Sequence, residues 1–163
     1  MCCGLVCSKI KGGRTLWKMK YDYPPNLTER EKKNFRQNLN RNERYKTDTK
    51  FKLNERMRVG ICLALIKKGG SKGHRSWTTL VDFNVDDLVE NLEKKFQPNM
   101  SWENYGEWHI DHIIPISAFN FSDAEHGDFK KCWCLKNLQP MWGIENLIKS
   151  NKLNKHFQPG LKI

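Results

Sequence analysis

The sequence predicts an α+β fold, and three observations carry that expectation. Residues 107–116, "EWHIDHIIPI", have the composition of a buried β-strand. Trp108, Ile110, Ile113, Ile114 and Ile116 surround its polar groups, and Pro115 bounds its far end. Leu53, Met57, Ile61, Ala64 and Leu65 recur at helical spacing. From residue 108 onward the order reads strand, loop, strand, helix, with "CWCLKNLQPMW" as the second extended piece and "GIENLIKSNK" as the helix.

Taken in order, residues 1–26 are irregular, with Gly12-Gly13 and Pro24-Pro25 as breakers. Thr28 caps a helix, and Glu31, three residues on, completes a capping box. The segment "TEREKKNFRQNLNRNERY" then offers only Phe35, Leu39 and Tyr45 as apolar anchors. It is too polar for a core helix, so it is either solvated or laid against a phosphate backbone. The stripe over 53–65 packs into a core and ends at Gly69-Gly70. "GGSKGHRS" is a loop with an exposed His74, and "WTTLVDF" reads as a short strand. Asn84 with Asp87 opens an amphipathic helix carrying Val85, Leu88, Val89, Leu92 and Phe96, which Pro98 stops. A short helix is expected at 122–131. Trp133 and Trp142 read as core, and Trp102 with Tyr105 as a buttress for the strand.

The 163 residues carry a formal charge of +11, unevenly spread. Residues 1–79 hold 20 Lys+Arg against 6 Asp+Glu, a net of +14, and residues 80–163 hold 9 against 12, a net of −3. A basic first half joined to a slightly acidic second half suggests a nucleic-acid grip attached to a site that needs carboxylates. Lys32, Lys33, Arg36, Arg41 and Arg44 are the candidate phosphate contacts of the polar helix. The longest apolar run, "VGICLALI" at 59–66, is too short for a membrane span. The N-terminus "MCCGLVCSK" lacks the layout of a signal peptide and the second-position glycine of myristoylation, although Cys2 or Cys3 remains open to palmitoylation. An intracellular protein, in the cytoplasm of a host cell or in a nucleus, is expected, with reduced thiols. Cys3 and Cys7 have an acceptable metal spacing, but Cys132 and Cys134 flank a single Trp133, which suits a strand better than a zinc knuckle. No structural zinc is expected.

Asp111, His109 and His112 lie in an otherwise apolar strand, where polar groups cost free energy unless they have partners or a role. "WHIDHIIP", then "LKNLQPMW", then "ENLIKSNK" resembles the HNH nuclease family, whose catalytic core is a ββα-metal fold. The stretch "LVENLEKKFQPNMSWENYGEWHIDHIIP" looks in particular like phage and viral HNH endonucleases of the homing type. The resemblance covers residues 80–152, with a looser echo in "FKLNERMRVGICLAL". It implies an HNH nuclease domain at 80–163 behind a basic, mainly helical DNA-binding region at 1–79.

The chemistry of the residues agrees. Cutting a phosphodiester needs a base for the attacking water and a cation on the phosphate and leaving oxygen. His112 suits the base: its ordinary pKa leaves much of it neutral at pH 7, and period-2 geometry groups it with Trp108, Ile110 and Ile114. Asp111 offers a hard anionic oxygen for Mg²⁺, and Asn146 a neutral one. By resemblance, Asn137 holds the loop that orients His112, and Lys149 with Ser150 lies near the DNA phosphate. The family's third position is often histidine; Asn146 there implies an H-N-N variant using Mg²⁺ or Mn²⁺. The family also implies products with a 5′-phosphate and a 3′-hydroxyl. Neighbouring residues on a regular strand face opposite ways, so a site using both Asp111 and His112 needs a bulge or must wrap the strand's edge. His109 shares a face with Asp111 and either assists the site or lies at the surface. No role is expected for His126 or His156. A non-catalytic DNA-binding protein that keeps the fold and an RNA-directed nuclease are the rival readings.

Overall fold

The computed structural model describes residues 23–152, and Cys2, Cys3, Cys7 and His156 lie outside that range. The chain divides between Thr47 and Asp48 into two compact units.

In the first unit, helix α1 spans Glu29–Thr47. The Glu31 carboxylate accepts from both the backbone N–H and the hydroxyl of Thr28, at 2.8 and 2.6 Å, and Thr28 Oγ1 accepts from Glu31 N–H. This is the reciprocal capping box that the sequence predicts. No residue of α1 is buried. Lys33, Arg36, Arg41 and Arg44 are exposed, and Lys32 is half-buried and paired with Glu29 at 2.7 Å.

The second unit is mixed helix and sheet. Helix α2 (Thr49–Lys67) starts at Asp48, whose carboxylate accepts from Phe51 N–H at 2.9 Å. Its buried residues are Leu53, Met57, Ile61, Ala64 and Leu65, the stripe read from spacing. This stripe shares one core with Leu88, Leu92 and Leu138, so the compact unit begins at Asp48 and not at the 79/80 boundary suggested by charge. Gly70 closes the helix end by donating to Leu65 O at 2.9 Å. A Cβ at Gly70 would lie 1.7 Å from Ser122 O, so only glycine fits this approach.

"WTTLVDF" does not form a strand. Trp77–Thr79 is a 3-10 turn, held by Thr79 Oγ1 donating to Ser76 O at 2.9 Å. Trp77, Leu80, Val81 and Phe83 are all buried, an irregular pattern that a coiled segment can satisfy and an alternating strand cannot. Helix α3 (Val85–Glu93) opens on the expected capping box between Asn84 and Asp87. Helix α4 (Gly127–Cys132) is shorter than the expected 122–131. The Asp123 side chain takes the N–H groups of Glu125 and His126 into a turn, and His126 Nδ1 caps the helix by accepting from Asp128 N–H. Cys132 and Cys134 therefore flank a helix end, not a strand.

Strand β1 (Trp108–His112) pairs antiparallel with β2 (Leu138–Trp142), and helix α5 (Gly143–Lys149) follows at once. A two-stranded sheet is marginal alone. Here one end is locked by Trp108, which stacks with Phe96, Trp102 and Tyr105 at centroid distances of 4.7–5.2 Å. Trp133 is buried, and Trp142 only half-buried. Among the described residues no helix is long and apolar enough to cross a membrane.

Candidate active site

The register of the hairpin runs unbroken from Trp108↔Trp142 to His112↔Leu138, so no bulge turns Asp111 and His112 toward one face. Their common access comes from a cavity of about 810 Å³ that is lined by both residues, by α2 and by Ser150 and Asn151. The site wraps the edge of the strand.

His112 is the last residue of β1, where the strand gives way to a loop. Its ring meets Trp133 edge-on, with centroids 4.6 Å apart and planes at 90°. Nε2 is buried there without a hydrogen-bond partner. Burial pushes the imidazole pKa down to about 4; Asp111 opposes that shift and Lys149 adds to it. His112 is thus neutral at pH 7.

Asn137 fixes the loop behind His112. Its side-chain oxygen accepts from Ile114 N–H at 2.8 Å, and its amide donates to Cys132 O at 2.9 Å and Ile114 O at 3.2 Å. Its backbone carbonyl accepts from Ile113 N–H at 2.8 Å. One buried asparagine therefore ties the residues just after His112 to the turn before β2. Asn137→Ala would take the side-chain partner from Ile114 N–H, Ile114 O and Cys132 O and is expected to lower stability by about 2–3 kcal/mol, as read by urea unfolding.

Asp111 is buried, and its Oδ2 accepts from Lys149 Nζ at 2.5 Å and from Gln139 Nε2 at 3.0 Å. Lys149 also donates to the carbonyl of His112. The structure therefore places Lys149 inside the site, on the backbone of one candidate residue and the carboxylate of the other. Nothing in the sequence singles out Gln139. It sits directly opposite Asp111 in the ladder, a position visible only once the register is known.

Asn146 is not brought onto Asp111. It lines a different cavity with Glu107, His109 and Leu147, and Ser150 is the residue common to both. His109 is exposed and reaches this cavity on one side and a cavity with His112 on the other. Both Asp111 and Asn146 are hard oxygen donors, and by donor type they fit Mg²⁺ better than a softer ion. Among the described residues no group of three His, Cys, Asp or Glu is placed to hold a metal.

The chain is 35% identical over 117 residues to an uncharacterized protein of Acanthamoeba polyphaga mimivirus, a match covering 71% of this chain and 49% of that protein. The chain thus spans about half the length of the curated relative it matches. No family model and no solved structure matches it. By sequence, the chain is related to a viral protein.

Proposed function

We propose that this chain is a metal-dependent DNA endonuclease with an HNH-type ββα core. The observation that carries the reading is the hairpin–helix site itself: neutral His112 beside buried Asp111 in one cleft, with Asn137 bracing the loop between them and the second strand. In this reading the His112 imidazole takes a proton from water as its oxygen adds to phosphorus. The bond from phosphorus to the 3′-oxygen breaks, and that oxygen takes up a proton from solvent. The products carry a 5′-phosphate and a 3′-hydroxyl. Asp111 is the residue that would hold Mg²⁺, in exchange for the Lys149 ammonium, and the ion would supply a positive charge for the phosphate and the leaving oxygen. Asn146, which lines a different cavity, is not placed to share it. Lys149 supplies charge balance for Asp111. The exposed cations of α1 and the overall charge of +11 support a nucleic-acid substrate.

The ion pair of Lys149 with Asp111 is the feature that favours the rival reading, a DNA-binding protein without turnover, since it places a cation on the carboxylate that a metal would use. Incubation with supercoiled plasmid and Mg²⁺ separates the two, and the same reaction on RNA tests the sugar preference. Cleavage of the plasmid is expected; binding without cleavage would leave the rival.

Charge neutralisation at Lys32, Lys33, Arg36, Arg41 and Arg44 is expected to weaken binding to DNA of any sequence. The slope of log affinity against log salt should flatten by about 0.9 for each phosphate that the protein no longer neutralises. Binding isotherms across a salt series read this directly, and an unchanged slope would mean that α1 is merely solvated.

A further inference from the structure

The cavity holding Asp111 and His112 has a neighbour. A second cavity, of about 360 Å³, lies on the other side of His112 and is lined also by Arg56, Gly60, Tyr105, His109 and Trp133. Gly60, His112 and Ile116 line both cavities, so the two meet at the His112 ring and form one trough along α2. At Gly60 a Cβ would lie 3.1 Å from the Trp133 ring, the ring that the His112 imidazole meets edge-on. Arg56 stands on one side of Gly60 and Lys67 on the other, both exposed. They are eleven residues apart in the helix, or roughly 16 Å at the usual rise.

The arginines of α2 differ in kind. Arg58 is neutralised by Glu55, with two hydrogen bonds of 3.0 Å. Arg56 has no hydrogen bond or ion pair among the described residues, although it lines the same cavity as two histidines. An unpaired guanidinium that lines one cavity with His109 and His112 is available to an anion, and its planar fork suits two oxygens of one phosphate.

Resting on the nuclease reading above, we propose that Arg56 is a further catalytic residue, contributed by α2 from outside the hairpin–helix core. It holds the non-bridging oxygens of the phosphate that is attacked, on the side of His112 away from Asp111. Its charge meets the negative charge that grows on those oxygens as water adds. Lys52, one turn earlier with Nζ 5.1 Å from the Tyr105 ring centroid, extends the same basic face along the bound strand.

The test compares wild type, Arg56→Ala, Arg56→Lys and Arg58→Ala. It uses single-turnover cleavage of a plasmid at saturating protein in Mg²⁺, DNA affinity in Ca²⁺, and thermal unfolding. Arg56→Ala is expected to slow the cleavage step by about 10²-fold, the usual cost of removing one charged donor from a transition state. Its affinity should change only a few-fold and its melting temperature not at all, because the side chain is exposed and unpaired. Arg56→Lys should recover part of the rate, and Arg58→Ala should retain it. An Arg56→Ala variant that cuts as fast as wild type at saturation, or loses only affinity, overturns the assignment of Arg56 alone. A wild type that binds DNA and cuts nothing overturns the nuclease reading and this proposal with it.

Discussion

His112→Ala is expected to lose about 10²–10⁴-fold in the rate of DNA cleavage while binding DNA as wild type does, because it removes the proposed base and leaves the cations proposed to bind phosphate in place. The fold should survive. His112 Nε2 has no hydrogen bond to lose, and the loop beyond it is held by Asn137. The variant also has a signature in stability. Burial sets the folded pKa of His112 at about 4, below the ordinary 6.5. Between these values the unfolded chain binds a proton that the folded chain does not, so stability rises with pH. In the metal-free protein this contribution is fully present above pH 6.5 and is lost as pH falls through about 4. A shift of that size corresponds to on the order of 3 kcal/mol. Urea unfolding at neutral pH and near pH 4 should show this loss in wild type and little of it in His112→Ala. Wild-type cleavage by the variant would remove His112 from the mechanism, and His109→Ala would then be the comparison of interest.

Lys149→Met is expected to lower the stability of the metal-free protein by about 3–5 kcal/mol, because it strands a buried carboxylate without its cation. Lys149 and Asp111 are 7% and 8% exposed, so solvent does little to replace the missing partner. The double variant Asp111→Asn/Lys149→Met should recover most of the stability, since the neutral amide no longer needs a charge beside it. The coupling in that double-mutant cycle isolates the pair from the packing of the lysine stem. Additive effects would mean that the 2.5 Å ion pair contributes little. Added Mg²⁺ should restore part of the stability of the single variant if the ion can take the place of the ammonium on Asp111.

How far the sequence anticipates the structure follows the range of the interactions. The capping boxes at Thr28 and Asn84 are local, as is the apolar stripe of α2, and the structure has all three. The strand at 108–112 and the helix after Trp142 also lie where composition puts them. "WTTLVDF" misleads because β-branched and aromatic residues favour strands in general, whereas here its large apolar side chains are all needed in the core and no partner strand is paired with it. The site is legible in its members more than in its geometry. Asp111 and His112 share a cleft because the end of a strand is wrapped, a matter of how α2 and the loop after His112 enclose it. For Lys149 the family resemblance implies only a place near the DNA phosphate. Its burial depends on how α5 lies against β1, and no spacing along the chain encodes that. Asn146, three residues earlier, shares a cavity with His109 instead of Asp111 for the same reason.

Whether this site cuts DNA with the help of a divalent cation is decided by following supercoiled plasmid with purified protein in Mg²⁺, in Mn²⁺ and in excess EDTA. His112→Ala is run alongside, and the cut ends are tested for ligation. Conversion to nicked or linear DNA is expected in either metal, and none in EDTA or with His112→Ala. The ends should be resealed by a ligase, because they carry a 5′-phosphate and a 3′-hydroxyl. Plasmid that stays supercoiled in both metals while bound by the wild-type protein, or cleavage that persists equally in His112→Ala, would contradict the assignment.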